Sequence, residues 1–273
     1  MNSSLPVNPS SERVNILGVG ISPLNLESAD EKLQQAVQQA GWQGFVTITG
    51  VHGVVESQFD EELKKVHNRS YLSTPDGMPM VWFGKWAGHS AMNRVYGPDL
   101  MLQTMERSVP RQETHYFYGG AEGVAQELHH SLASRFPGLE VAGVFTPPFR
   151  PFTNEEELAL LKQIQEARPH YFWVGLSTPK QERFMHDFLA KYPDLSADWD
   201  HGFVMLGVGA AFDFHSGKVR QAPRWVQRSG FEWLFRVLMD PRRLWKRYLF
   251  AISVFLSRII PQMRGDITYR MIR

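Results

Sequence analysis

The chain has 273 residues, 43% of them hydrophobic and 21% charged, enough to bury a sizeable core and too apolar for a disordered protein. It contains no Cys, which excludes disulfides and thiolate metal sites and fits a reducing cytoplasm. The net charge of +1 hides an asymmetry: residues 218–273 carry 13 Lys+Arg against three acids, a net +10, which leaves −9 on residues 1–217. A block of that sign points to an anionic partner, whether nucleic acid, anionic lipid or a phosphorylated substrate.

The first residues, MNSSLPVNPSSER, have no basic segment followed by an apolar core. They do not read as a secretory signal, and residues 1–13 are expected to be a disordered lead-in. Short apolar runs rich in β-branched and aromatic residues follow at Val14–Gly18, Phe45–Ile48, His115–Tyr118, Leu139–Val144, Tyr171–Leu176 and Val204–Val208. Between them, helical spacing covers Ala29–Ala40, Asp60–Ser70, Pro98–Ser108, Gly123–Phe136, Asn154–Ala167 and Lys180–Tyr192. Strands alternating with helices imply parallel βαβ units. Residues 14–217 are therefore expected to form an α/β, three-layer Rossmann-like sandwich with a mainly parallel sheet, its ligand lying beyond the carboxyl ends of the strands.

Within that core, Leu72-Ser-Thr-Pro-Asp-Gly-Met-Pro-Met-Val-Trp82 places one carboxylate, Asp76, in a Pro-Asp-Gly turn. Such a turn serves equally as a surface connection, because Pro fixes φ and Gly accepts a positive φ. The residues after it, Met78, Met80, Val81, Trp82 and Phe83, look instead like a buried helix start or a pocket wall. A carboxylate held there gains the raised proton affinity that a general base needs.

Further along, Phe117-Tyr-Gly-Gly-Ala-Glu-Gly123 sets a Gly-rich turn, with Gly119 and Gly120, between a strand and a helix. Its backbone N–H groups could face a phosphate, but the spacing is neither the dinucleotide fingerprint nor a P-loop. In Val174-Gly-Leu-Ser-Thr-Pro-Lys-Gln-Glu-Arg183, Lys180 and Gln181 open a helix where an ammonium can meet phosphate and an amide a sugar hydroxyl or a base. Leu206–Gly217 supplies small residues for close backbone approach and Asp213 as a polar anchor. The ten His are scattered, and no His-Glu-x-x-His, Asp-x-Asp or Gly-x-Ser-x-Gly occurs, so no metal site is expected and neither a metallohydrolase nor a serine hydrolase is indicated.

Residues 218–273 alternate Arg with bulky apolar residues, and their longest uncharged run, Tyr248 to Ser257, is ten residues. That is far short of the roughly 20 needed to span a bilayer. The segment is expected to be a basic amphipathic helical appendage, either lying on a membrane surface or packed on the core with a solvated Arg face.

The ordered set Pro75-Asp-Gly-Met78, Arg94-x-x-Gly-x-Asp-Leu100, Gly119-Gly120, Pro179-Lys-Gln-Glu182, Gly207–Asp213 and Ala222-Pro-Arg-Trp225 through Glu232-Trp, Pro241-Arg-Arg243 and Arg247-Tyr resembles the WecG/TagA/CpsF glycosyltransferase family. The resemblance spans about residues 14–255. It implies an inverting transferase that moves a sugar from a UDP-sugar to a polyprenyl-diphosphate-linked saccharide, building teichoic acid, common antigen or exopolysaccharide at the inner face of the cytoplasmic membrane. The donor would be UDP-N-acetylmannosamine, its uronic acid or a UDP-glucose type. It further implies an appendage that meets the membrane and helps close the active site.

By the same resemblance Asp76 matches the proposed catalytic base, and Arg94 and Gln181 match active-site positions. No cofactor or metal is then expected, and the leaving diphosphate would take its positive charge from appendage arginines, with Arg224, Arg236 and Arg243 as candidates. Many members carry Thr-x-Asn upstream of the aspartate; counting back from Asp76 puts Ile48 and Gly50 there, and Thr49 or His52 is expected to replace those polar groups after a small shift. The rival reading is a Rossmann-like module that binds nucleic acid through its tail, and a UDP-sugar hydrolase or epimerase is a minor one. Trp225, Trp233 and Trp245 favour a lipid interface over nucleic acid, so an anionic membrane surface is the expected partner, with homo-oligomerisation left open.

Overall fold

The computed structural model describes residues 12–272, apart from the side chain of Arg243. The expected lead-in lies outside the described residues except for Glu12 and Arg13, and the Arg13 guanidinium donates to the carbonyls of Gly20, Ser70 and Tyr71.

In chain order the elements are β1 (Val14–Ile16), β2 (Val19–Ile21), α1 (Leu26–Val37), β3 (Gln43–Thr49), α2 (Val51–Glu56), α3 (Glu61–Arg69), β4 (Leu72–Pro75), α4 (Met78–Trp86) and α5 (Gly97–Ser108). After a short 3-10 turn come β5 (Thr114–Gly119), α6 (Val124–Arg135), β6 (Glu140–Phe145), α7 (Asn154–Ala167), β7 (Tyr171–Gly175), α8 (Lys180–Lys191), β8 (Phe203–Gly207) and α9 (Ala211–His215). The appendage is α10 (Arg224–Ser229), α11 (Glu232–Met239) and α12 (Pro241–Arg264).

Six strands form one sheet in the order β4-β3-β8-β7-β5-β6, and every neighbouring pair is parallel. The central strands read as unbroken apolar runs because both faces are covered. Successive side chains point to opposite faces. Phe117, Tyr171, Trp173, Val204 and Leu206 pack on α1, α5 and α6, whereas Tyr116, Tyr118, Phe172, Val174, Phe203 and Met205 pack on α3, α7 and α8. This is the three-layer sandwich expected from the alternation of strands and helices. Its helices end close to the expected positions because their caps are written locally: α7 begins at Thr153, which accepts from Glu156 N–H while the Glu156 side chain accepts from Thr153 N–H.

Two strands depart from the sequence reading. Val14–Gly18 is not a strand of the main sheet: Leu17 and Gly18 take positive φ of 52° and 85°, and the chain doubles back into a separate antiparallel β1–β2 hairpin. Leu72–Pro75, read as the approach to a turn, is the edge strand β4 pairing with β3. It is too short and too rich in Ser, Thr and Pro to show the periodicity of a strand.

A third apolar cluster joins the hairpin to α2, α4 and the appendage through Ile16, Ile21, Val54, Val55, Met80, Phe83, Phe255 and Ile259. Polar contacts fix the same junction. Gln262 accepts from Leu17 N–H at 2.9 Å and donates to Asn15 O at 2.7 Å, and Asn68 donates to Ile272 O at 2.7 Å. The second half of α12 and the residues after it are therefore docked on the core. No helix among the described residues is long and apolar enough to cross a membrane.

Candidate active site

A cavity of about 1160 Å³ opens at the carboxyl ends of β4, β3, β8 and β7, roofed by α11 and α12. That is where a parallel sheet leaves backbone groups and loop residues free for a ligand. The strand ends deliver its floor. Gly50 follows β3, Asp76 follows β4, Gly175 ends β7 and Gly207 ends β8.

Asp76 is held by its backbone, whose N–H donates to Thr49 O at 3.0 Å as an extension of the β3–β4 ladder. Gly77 then takes φ +86°, which only glycine adopts freely, and turns the chain into α4. A Cβ at position 50 would lie 3.0 Å from the Asp76 carbonyl and 3.6 Å from Oδ2, so Gly50 keeps room beside the carboxylate.

The Asp76 Oδ1 atom lies 3.4 Å from Nε and Nη2 of Arg94. Arg94 Nη2 also donates to Glu232 Oε2, and Tyr96 donates to Glu232 Oε1 at 2.9 Å. Arg236 lies 3.4 Å from Glu232 Oε1, and the Arg94 guanidinium sits 3.9 Å over the Tyr96 ring. Core and appendage thus share one charge network. Burial pushes the Asp76 carboxyl above the usual carboxylate range; the Arg94 charge opposes the shift and that of Glu232 adds to it. Burial also raises the Tyr96 phenol, so it stays a donor to Glu232.

His52, on the first turn of α2, lines the same cavity. Burial and the Arg247 charge lower it to about 4, which keeps the imidazole neutral. Gln181 and Glu182 open α8 beneath the cavity. Glu182 Oε1 accepts from Thr178 Oγ1 at 2.9 Å and Gln181 Nε2 at 3.2 Å, while Gln181 Oε1 and Glu182 Oε2 are buried without a protein partner. Burial raises the Glu182 carboxyl. A Cβ on Gly207 would come within 3.1 Å of the Gln181 amide carbon, so the glycine leaves that side chain its place.

Of the residues singled out from sequence, the fold brings His52, Asp76, Arg94, Gln181, Asp213 and Arg236 to the cavity. Thr49 is not among them: it points into the core, where its hydroxyl meets Thr47 and Ser73 at 3.0 and 2.8 Å. Alternation along β3 puts Ile48 and Gly50 at the cavity instead. Gly119 and Gly120 do not line it either. Gly120 N–H donates to Gly175 O at 2.9 Å, and a Cβ on Gly119 would come within 2.7 Å of the Gly175 backbone, so these glycines let the ends of β5 and β7 close together.

Lys180 is exposed outside the cavity, and Arg224 lines a separate depression with Asp99, Arg135 and His215. The Arg243 side chain lies outside the described residues. Sequence reasoning missed Tyr96 and Arg220 and quoted Glu232 and Arg247 only within the family motifs, without a site role; all four are on the cavity wall. Glu232 had a signal: it is the single acid between Lys218 and Met239. Among the described residues, no three His, Cys, Asp or Glu cluster in a way that could hold a metal ion.

A family model described as the glycosyl transferase WecG/TagA/CpsF family matches residues 14–267. Among curated proteins, the N-acetylglucosaminyldiphosphoundecaprenol N-acetyl-beta-D-mannosaminyltransferase of Bacillus subtilis (strain 168) is 27% identical over 77% of this chain and 76% of its own. The protein of the same name from Bacillus spizizenii is 29% identical over 70% of this chain and 69% of its own.

Proposed function

The chain belongs to the WecG/TagA/CpsF family of glycosyltransferases, and from that premise we propose that it transfers a sugar, with inversion, from a UDP-sugar to a polyprenyl-diphosphate-linked saccharide in bacterial envelope polysaccharide synthesis. The relatives' names favour an N-acetylmannosamine-type donor and an undecaprenyl-diphosphate-linked acceptor. The uronic acid of that sugar and a UDP-glucose type are the other donors to try.

The observation that carries the reading is the placement of Asp76. It is the carboxylate at the head of a large cavity, raised by burial, with one oxygen near Arg94 and the other toward the space beside Gly50. In the proposed step Asp76 takes the proton of the acceptor hydroxyl as its oxygen bonds to the anomeric carbon. The bond from that carbon to the UDP oxygen breaks, and the diphosphate leaves with the electron pair. Arg220, Arg236 and Arg247 line the same cavity and supply the positive charge that stabilises it, without a metal ion. Gln181, its amide held by Glu182, offers a carbonyl oxygen to a hydroxyl or N–H of the substrate. The exposed apolar and basic faces of α11 and α12 support a peripheral position for this cavity at the inner face of the cytoplasmic membrane, where such an acceptor would reside.

The test is release of UDP and formation of a disaccharide lipid from a short-chain polyprenyl-diphosphate glycan, with a panel of UDP-sugars. Asp76→Asn should bind donor normally and turn over roughly 10²-fold more slowly or worse. Near-parental turnover in a folded Asp76→Asn protein removes Asp76 as the base.

A further inference from the structure

The large exposed apolar side chains are not confined to the appendage. On the core, α4 buries Met80, Val81, Phe83 and Gly84 and turns Trp82, Lys85 and Trp86 outward, three positions that share one helix face. Trp82 and Trp86 are each 54% exposed. Trp82 also lines the cavity and abuts the appendage, since a Cβ on Gly230 would fall 2.9 Å from its ring. Elsewhere on the core Phe59, 61% exposed, packs its ring 5.8 Å from Phe250 of α12, beneath the Arg258 guanidinium. Core aromatics therefore meet the appendage at two places, Trp82 at Gly230 and Phe59 at Phe250, and the appendage exposes Leu238, Trp245 and Leu249 as well.

Beside Trp86 and along α12 the charges are basic, whereas Phe59 stands between Glu56 and the acids Asp60, Glu61 and Glu62. Helix α4 contains Lys85 and no acid, and residues 241–265 contain six Lys+Arg and no acid. Docking two copies through such a face would set like charges together, which is costly. Anionic headgroups would neutralise them, and indole rings beside ammonium and guanidinium groups suit the boundary between headgroup and acyl chain.

We propose that the membrane-contacting surface is composite, with Trp86 and Phe59 of the α/β core entering the lipid interface together with α11 and α12, so that the cavity mouth faces the bilayer. This rests on the membrane reading of the appendage given above. Its consequence is that a lipid-linked acceptor reaches Asp76 without its tail leaving the interface.

The absence of Cys makes the test clean, because one introduced thiol is the only one to label. Trp86→Cys on the core, Leu249→Cys on α12 and Leu158→Cys on the exposed face of α7 would each carry an environment-sensitive NBD label. Phe59→Cys stands in on the core if Trp86→Cys fails to fold. With vesicles of phosphatidylcholine and phosphatidylglycerol at 3:1, emission should shift to the blue and rise roughly twofold or more at 86 and 249, and stay unchanged at 158. Response at 249 without response at the core sites overturns the composite surface while sparing the appendage. Silence at all sites overturns both it and the membrane reading. A blue shift at 86 that grows with protein concentration in the absence of vesicles assigns α4 to a second copy, and also overturns it. Trp86→Ser should weaken vesicle binding by roughly tenfold, as expected for one large apolar side chain, and leave turnover on a water-soluble acceptor unchanged.

Discussion

Arg94 of the core and Glu232 of the appendage form an ion pair in which the same Arg94 nitrogen lies 3.4 Å from Asp76 Oδ1. The state of the proposed base thus depends on whether the appendage is docked. Two substitutions should move the acid limb of kcat/KM in opposite directions. Arg94→Ala removes the cation that opposes protonation of Asp76, so activity should begin to fail at higher pH; Glu232→Gln removes a neighbouring negative charge, so the limb should move to lower pH. A pH–rate profile of each variant reads both shifts, and unmoved limbs would detach Asp76 from this network.

Arg220, Arg236 and Arg247 should do the work a divalent ion does in many nucleotide-sugar enzymes. Turnover should therefore survive dialysis against EDTA with little change. Arg236→Ala should lower turnover by roughly 10- to 100-fold, because the charge developing on the diphosphate loses a partner. Abolition of activity by EDTA, restored by Mg²⁺ or Mn²⁺, would show that the arginines are not sufficient.

Removing residues 218–273 should cost stability as well as function. Phe255 and Ile259 are 5% and 4% exposed within the cluster that holds the β1–β2 hairpin, and Gln262 bonds both Asn15 and Leu17. At about 1.5–3 kcal/mol for each buried side chain, a chain ending at Gly217 should melt on the order of 10 °C lower. Thermal denaturation followed by circular dichroism measures this. An unchanged midpoint would mean that the docking contacts carry no net energy.

Acid should weaken the fold before it protonates ordinary carboxylates. Burial lowers His67 to about 4 and His115 to about 3, against the ordinary imidazole value of 6.5. Each binds its proton less readily folded than unfolded. Stability is therefore fully present above pH 6.5 and is lost progressively as pH falls toward 4. Melting temperatures across pH 7.5 to 4.5 should decline, and His115→Gln should flatten part of the decline. A level profile over that window would contradict the neutral, buried state of these rings.

The sequence by itself determined the layers. Apolar runs such as Tyr171–Gly175 and Phe203–Gly207 read as central strands because parallel strands buried on both faces need no polar alternation. Helices such as Asn154–Ala167 were bounded by local caps. Asp76 was legible too, since a single carboxylate amid Met, Val and Trp is a chemical anomaly that needs no partner to be seen. Only the tertiary structure decided which polar residues meet. Whether Thr49 or Gly50 faces the cavity turns on one step of strand register, and a step of one reverses every side chain. Arg94 and Glu232 are 138 residues apart, so their pairing could come only from the docking of α11 over the sheet edge. Gly119 and Gly120 looked like a phosphate cradle, but in space they make room for β7. Local sequence sets what a segment can form; the packing of distant segments sets what its side chains face.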